Sequence, residues 1–314
     1  MSESPTPGVP VAERALALAF DVGGTSVRGA VVGAGDVSLA ESQVATRTGT
    51  AVLDDIAQLG EQLLAGLSSA ARAQVAGVGV AFPGLVDTES GTSLKAVNLG
   101  LVDTPVAAPI AERLGLPVAV SHDTAAAAGA IWADAGSPAS ALVAVLGTGV
   151  AAVTYVEGRP IVGVSGQAGE LGHLVVDPAG PPCSCGLRGC IETRAGARSM
   201  LQRYASLGGS GVAGVAELVA RVEHDRLAAQ VWSEAITALA DGFLAVGALL
   251  APGEIILGGG VAEARGYLLQ PLRVRMRERA GVTAVPPVRL SALAGRAGLV
   301  GAARLALAST GTGA

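Results

Sequence analysis

Aromatic side chains are scarce in this 314-residue chain, which has three Phe, three Tyr and two Trp although half of its residues are hydrophobic. A sizeable core is still available, but it must be packed from Ala, Val and Leu. An excess of positive charge is also missing, since 21 basic residues face 26 acidic ones for a net charge of −5. Nothing global then attracts nucleic acid or anionic lipid, and a small soluble ligand is the more natural partner. No run of 18 or more apolar residues is free of charge and glycine, and the N-terminus lacks a basic region followed by an apolar one. The expected setting is cytoplasmic, without a membrane span. Cysteine is nearly absent, and its odd count of three argues against a disulfide framework.

A chain of this length exceeds what one compact core organises, so two lobes are expected. The first 14 residues, with three prolines and no periodicity, read as a disordered leader. From residue 15, strands alternate with helices, an α/β pattern. An apolar run over residues 15–22 carries Asp21 near its end, then Gly23, Gly24 and Thr25, then a second apolar run to Val32. Valine and glycine after the turn favour a hairpin over the strand-to-helix turn of a dinucleotide fold. A helix is expected over 52–73, a buried strand over 75–82, a helix over 106–114 and a strand over 117–121. After Asp123 and Thr124 an alanine-rich helix runs to 133, and a second hairpin starts at Leu142, turning at Gly147, Thr148 and Gly149. That echo of the first hairpin suggests two related lobes. Helices over 215–228 and 231–250, a strand over 254–257 and the triplet Gly258, Gly259 and Gly260 follow, with a helix behind the triplet. His224, in a charged stretch read as helical, is expected at a solvated surface.

Glycine turns placed directly after apolar strands present backbone N–H groups that suit phosphate. Three of them, at 23–26, 147–149 and 258–260, are stronger evidence than one, although 45 glycines also make ordinary tight turns common. Asp21 and Asp123 stand at strand ends beside turns. There a carboxylate can hold Mg²⁺ through water or accept a proton from an attacking hydroxyl. Asp123 is equally placed to cap the helix that follows it.

All three cysteines and one of three histidines fall between Glu170 and Glu192. Cys183, Cys185, Cys190 and His173 form the donor set that tetrahedral Zn²⁺ prefers in a closed structural site, although buried thiols or one disulfide with a leftover thiol are also compatible with the count. Gly186 and Gly189 would let the backbone fold tightly around an ion.

Taken together, Asp21-Val-Gly-Gly-Thr, Leu146-Gly-Thr-Gly, Gly169-Glu-Leu-Gly-His, Cys183-Ser-Cys-Gly-Leu-Arg-Gly-Cys-Ile-Glu and Leu257-Gly-Gly-Gly closely resemble the ROK family (repressors, ORFs, kinases), in particular its bacterial glucokinase branch. The resemblance runs from about residue 15 onward. It implies the actin-like ATPase fold of hexokinases, with two α/β lobes closing over a cleft. The lobes would span 15–121 and 122–296, the second carrying a zinc loop at 173–190, with a C-terminal helix over about 297–314 packing back on the first. It implies a sugar kinase using ATP and Mg²⁺, with structural Zn²⁺. Asp123 then corresponds to the catalytic base, and Asp21 to the magnesium-associated acid beside Gly23, Gly24 and Thr25. Gly147, Thr148 and Gly149 correspond to a second phosphate loop, and Gly258, Gly259 and Gly260 to the turn beneath the adenosine. Asn98, His122, Asp123, Glu170, His173 and Glu192 correspond to sugar contacts, His173 binding zinc with one ring nitrogen and facing the sugar with the other. A homodimer or homotetramer is the implied assembly.

Departures from the family pattern bear on the substrate. Where Glu-Asn-Asp-Ala-Asn is usual, this chain has Ser121-His122-Asp123-Thr124-Ala125, so an imidazole replaces the sugar-binding asparagine. Val150-Ala151-Ala152 replaces a glycine-rich continuation, and Ser26 stands where lysine is common, leaving Arg28 as the nearest cation. Glucose is the leading acceptor, with an amino sugar such as N-acetylmannosamine or kanosamine, fructose or a C7 cyclitol as the alternative. Polyphosphate as donor would need a track built from arginines, because Lys95 is the single lysine. A sugar-responsive regulator is a remote alternative, since about twenty residues before the first phosphate loop are too few for a helix-turn-helix domain.

Overall fold

The computed structural model describes residues 15–164 and 168–311, so the leader expected at 1–14 lies outside the described residues. The chain divides into two compact units, residues 1–130 with 298–314 and residues 131–297. In chain order, the first run of elements is β1 (Leu16–Val22), β2 (Ser26–Val32), β3 (Ser38–Ala45), α1 (Ala51–Ala65), α2 (Ser69–Arg72), β4 (Val75–Phe82), β5 (Leu85–Asp87), β6 (Thr92–Ala96), β7 (Leu101–Pro105), α3 (Ala107–Leu114), β8 (Val118–His122) and α4 (Asp123–Asp134). Then come β9 (Ser140–Leu146), β10 (Val150–Val156), β11 (Arg159–Pro160), α5 (Glu192–Ala195), α6 (Ala197–Ser206), α7 (Val215–Ala220), α8 (Arg226–Leu250), β12 (Ile255–Gly258), α9 (Gly266–Arg279), β13 (Val288–Leu290) and α10 (Ala297–Ser309). The division between units falls inside α4, at 130/131, rather than at residue 121.

Each unit is built on a five-stranded sheet, in the orders β3-β2-β1-β4-β8 and β11-β10-β9-β12-β13. The pairings match strand for strand. In each, the first three strands of the order pair antiparallel and the last three parallel. The repetition read from two glycine turns therefore extends to whole sheets.

Alternation along β1 explains how the first unit gets a core with few aromatics, Phe20 and Phe82 among them. Leu16, Leu18, Phe20 and Val22 join a large aliphatic cluster with Val52, Ile56, Leu59 and Leu63 of α1. Ala17 and Ala19 point to the opposite face and meet Leu299, Ala302, Ala303 and Ala306 of α10. Only small residues allow that second contact. A Cβ on Gly79 of β4 would stand 1.8 Å from the Ala302 carbonyl oxygen, and one on Gly301 would stand 2.1 Å from that of Ala126. Thus α10 covers this face of the first unit's sheet and ends at Ser309.

The second unit buries α8, whose Val231, Trp232, Ile236, Leu239 and Phe243 lie in its main cluster. α8 is long and apolar enough to cross a membrane by length and composition alone. Its Glu234, paired with Arg194 and Arg203 and inside the same unit, fits a core helix better.

Some expected elements differ. The helix expected over 215–228 stops at Ala220, because Asp225 caps a new helix by accepting the N–H groups of Leu227 and Ala228 at 2.8 and 3.3 Å. His224 is exposed but lies in the turn between α7 and α8. The helix expected over 52–73 breaks after Ala65, and Ser68 caps the short α2.

Candidate functional site

In the first unit the candidate residues gather at the C-terminal edge of the parallel strands. Six of the seven β1 residues are buried, and Asp21 is the partly exposed one. Its cross-strand partner is Arg28, and their side chains form an ion pair. The turn closes through the Gly23 N–H to the Ser26 carbonyl at 2.9 Å, leaving Gly24 with open space where a side chain would stand. Thr46 buttresses the turn, its hydroxyl donating to the Gly23 carbonyl at 2.7 Å and its N–H to that of Thr25 at 3.1 Å. The first residues of α10 crowd the carboxylate of Asp21, since a Cβ on Gly298 would stand 2.4 Å from Oδ2. A helix N-terminus beside an anion is favourable.

Asp123 stands two strands from Asp21 along the same edge, with β4 between β1 and β8. Its Oδ1 accepts the Thr124 N–H at 2.5 Å and the Thr124 hydroxyl at 3.2 Å, and Nε2 of His122 lies 3.3 Å away. Oδ2 has no partner among the described residues. Burial pushes the Asp123 carboxyl above its ordinary value and the Asp21 charge adds to this, against the opposing influence of His122 and the Thr124 bonds. The helix-capping alternative is not what these bonds describe, because the side chain serves the adjacent Thr124 rather than the next two residues of α4. Asn98 is exposed on a 3-10 turn over Val97–Leu99, in the same unit.

The second unit holds the remaining candidates. The β9–β10 turn closes through the Gly147 N–H to the Gly149 carbonyl at 3.0 Å. Glu192, the first residue of α5, accepts the Val150 N–H on Oε2 at 3.1 Å. Gly259, with φ +86, passes so close to β9 that a Cβ would stand 2.4 Å from the Leu146 carbonyl oxygen, so the glycine triplet and the second hairpin abut.

The cysteine loop forms a compact cluster. One donor atom from each of His173, Cys183, Cys185 and Cys190 lies within 4.8 Å of all the others. Nδ1 of His173 is 3.5 Å from Sγ of Cys183, and Sγ of Cys185 is 3.6 Å from that of Cys190. A tetrahedral zinc site places its sulfurs roughly 3.8 Å apart, so the donor set fits Zn²⁺ in identity and spacing. Burial pushes the Cys190 thiol up to about 12, with crowding by Cys183 and Cys185 adding to it, whereas the Leu187 N–H lowers exposed Cys185. Nε2 of His173 faces Oε2 of Glu170 at 3.8 Å. Arg194 ties the loop to α8, reaching Asp177 at 3.4 Å and Glu234 at 2.7 Å. Burial alone would raise Glu234, yet Arg203, Gln230 and Arg194 together hold it below its usual value.

The ROK family model matches residues 17–309. The chain belongs to the ROK family. Among its ROK relatives, a glucokinase of Halalkalibacterium halodurans is 30% identical over 90% of this chain and 92% of its own length. An N-acetylmannosamine kinase of Citrobacter koseri is 32% identical over 92% of this chain and 98% of its own length. A ROK glucokinase from Streptomyces griseus, solved with glucose and AMPPNP, superposes with a TM-score of 0.81 at 28% identity, covering 93% of this chain and 99% of that one. The actin-like ATPase fold expected from the motifs is thus the fold of this ROK protein. The contacts that sequence reasoning passed over come from Thr46, Thr124, Gly298 and the backbone of the Gly196–Arg198 segment, which brace the candidates. A lone Thr or Gly has no signal beyond its position.

Proposed function

We propose that this ROK protein is an ATP-dependent hexose kinase, most simply a glucokinase transferring the γ-phosphoryl group of ATP to the 6-hydroxyl of glucose. The observation that carries this reading is Asp123, whose Oδ1 is engaged by Thr124 and approached by His122 while Oδ2 is left as a proton acceptor. As the sugar oxygen forms its bond to phosphorus and the bond to the ADP oxygen breaks, Oδ2 takes the hydroxyl proton. The transition state is loose, so position matters more than the strength of that base. Asp21 would hold Mg²⁺ through water, and the ion, when bound, neutralises phosphate charge. Gly23, Gly24 and Thr25 would face the nucleotide, as would Gly147, Thr148, Gly149 and the Gly258–Gly260 turn. Asn98, His122, Glu170, His173 and Glu192 would contact the sugar. His173, Cys183, Cys185 and Cys190 would hold structural zinc, which fixes the loop that ends in Glu192.

His122 favours a second acceptor class, because an imidazole offers a different reach from the family's asparagine. An amino sugar such as N-acetylmannosamine is that alternative, in keeping with relatives of equal similarity. An ADP-release assay over glucose, mannose, fructose and N-acetylmannosamine, with Asp123→Asn as the control, tests both. Glucose turnover well above the control is expected. No acceptor exceeding the control sinks the kinase reading, and preference for N-acetylmannosamine replaces the first acceptor with the second.

A further inference from the structure

The hydrogen bond between Glu192 and Val150 gives the glutamate a task apart from any contact with sugar. Val150 opens β10 directly after the Gly147–Gly149 turn, and its N–H is taken by Oε2 of Glu192 at 3.1 Å. The segment behind Glu192 grips the same turn. The Ala197 N–H reaches the Gly147 carbonyl at 3.0 Å and the Arg198 N–H the Thr148 carbonyl at 3.5 Å. Two glycines make room for this approach. A Cβ on Gly149 would stand 2.2 Å from Oε2 of Glu192, and one on Gly196 would stand 2.9 Å from the Thr148 carbonyl oxygen. The N–H groups of Thr148 and Gly149 meanwhile have no acceptor among the described residues, which leaves them to an oxyanion.

We infer that Glu192 is a positioning residue for the nucleotide, a latch that holds the second glycine turn in its phosphate-accepting shape before any sugar arrives. The inference rests on the kinase reading above. Fixing Val150 from behind stops the tip of a three-residue turn from rotating, so that the Thr148 and Gly149 donors are aimed in advance and less ordering is needed when phosphate binds. Because Glu192 follows Cys190 by two residues, the cysteine cluster and the phosphate turn are joined through one side chain.

The test is Mg-ADP binding by titration calorimetry in the absence of sugar, a readout that a purely sugar-contacting glutamate leaves unmoved. Glu192→Ala should weaken Mg-ADP by about tenfold, as loss of a charge-assisted hydrogen bond does, while Glu192→Gln, which keeps an acceptor oxygen at the same reach, should stay within about threefold of the parent. Gly149→Ala should weaken binding comparably, since its methyl displaces the carboxylate, and should add nothing when Glu192 is already alanine. Should Glu192→Ala unfold, the Gly149→Ala and Glu192→Gln arms decide alone. Unchanged affinity in Glu192→Ala overturns the latch while leaving the kinase reading intact. Tighter binding also overturns it, because the carboxylate would then compete with phosphate for the Val150 N–H. A parent protein that binds no Mg-ADP at all overturns the kinase reading, and the latch with it.

Discussion

The two glycine hairpins follow one plan yet obtain their carboxylates differently. In β1–β2 the acid is part of the strand itself, since Asp21 closes the apolar run and pairs across to Arg28. At the corresponding place in β9–β10 stands Val145, and the carboxylate that reaches the second turn is Glu192, supplied from a segment more than forty residues further on. The turns differ in length too. Val22 pairs with Val27 across four residues, and Leu146 with Val150 across three. The two sheets thus share one strand order and place their carboxylates differently. On the kinase reading proposed above, the first hairpin would hold a cation at its strand end and the second would present bare amides held from behind.

Substitutions that separate the hairpins test this contrast. The largest effect is expected two strands away from Asp21, where Asp123→Asn should lower kcat by roughly 10² to 10⁴-fold while leaving Mg-ADP affinity near that of the parent. The same variant has a stability signature. Because the Asp123 carboxyl is raised in the folded state, the fold binds its proton more tightly than the unfolded chain does, so stability falls as pH rises from the usual aspartate value to the raised one. Thermal unfolding of Asp123→Asn across acidic pH should lack that fall. Next in size, Asp21→Asn should erase most of the gain in ADP affinity that Mg²⁺ confers, by about tenfold or more, whereas Glu192→Ala should weaken ADP with and without Mg²⁺ alike. Equal Mg²⁺ dependence in both variants would break the contrast. Stripping metal with a strong chelator should lower the melting temperature and weaken Mg-ADP through the loop that carries Glu192, with the protein releasing about one equivalent of zinc. The smallest effect belongs to Arg28→Met, which removes a half-exposed ion pair worth about 1 kcal/mol or less and should shift the melting temperature by no more than a few degrees.

Legibility in the sequence followed burial. β4 was readable to the residue because it is an uninterrupted apolar run with seven of eight residues buried. β3 left no trace, since Ala40 and Val44 pack on the core cluster while Ser42 between them shares their face and Leu39 stands exposed, so this edge strand carries no clean apolar–polar alternation. β5, β6 and β7 were invisible for a related reason, being short and mixed in polarity. The break between α7 and α8 was written in Asp225, but an apolar rhythm on both sides outweighed one capping residue. At the site, side chains with chemistry of their own were found by type and spacing. What could not be read was the wiring among them, such as Glu192 turning toward Val150 or Thr124 occupying one oxygen of Asp123. Those contacts depend on where distant segments come to rest.

The packing of α10 against Ala17, Ala19 and Ala81 has a consequence for how the protein is made. The first unit lacks the cover for one sheet face until residues 298–309 have been synthesised, after the entire second unit. During translation the early strands must therefore wait with an alanine-lined face uncovered, and the edge that bears Asp21 receives its neighbour Gly298 only after the second unit has been made. Competence of the first half is thereby tied to α10, so that a chain cut short before it would hold every candidate side chain and still lack the surface that sets Asp21 in place.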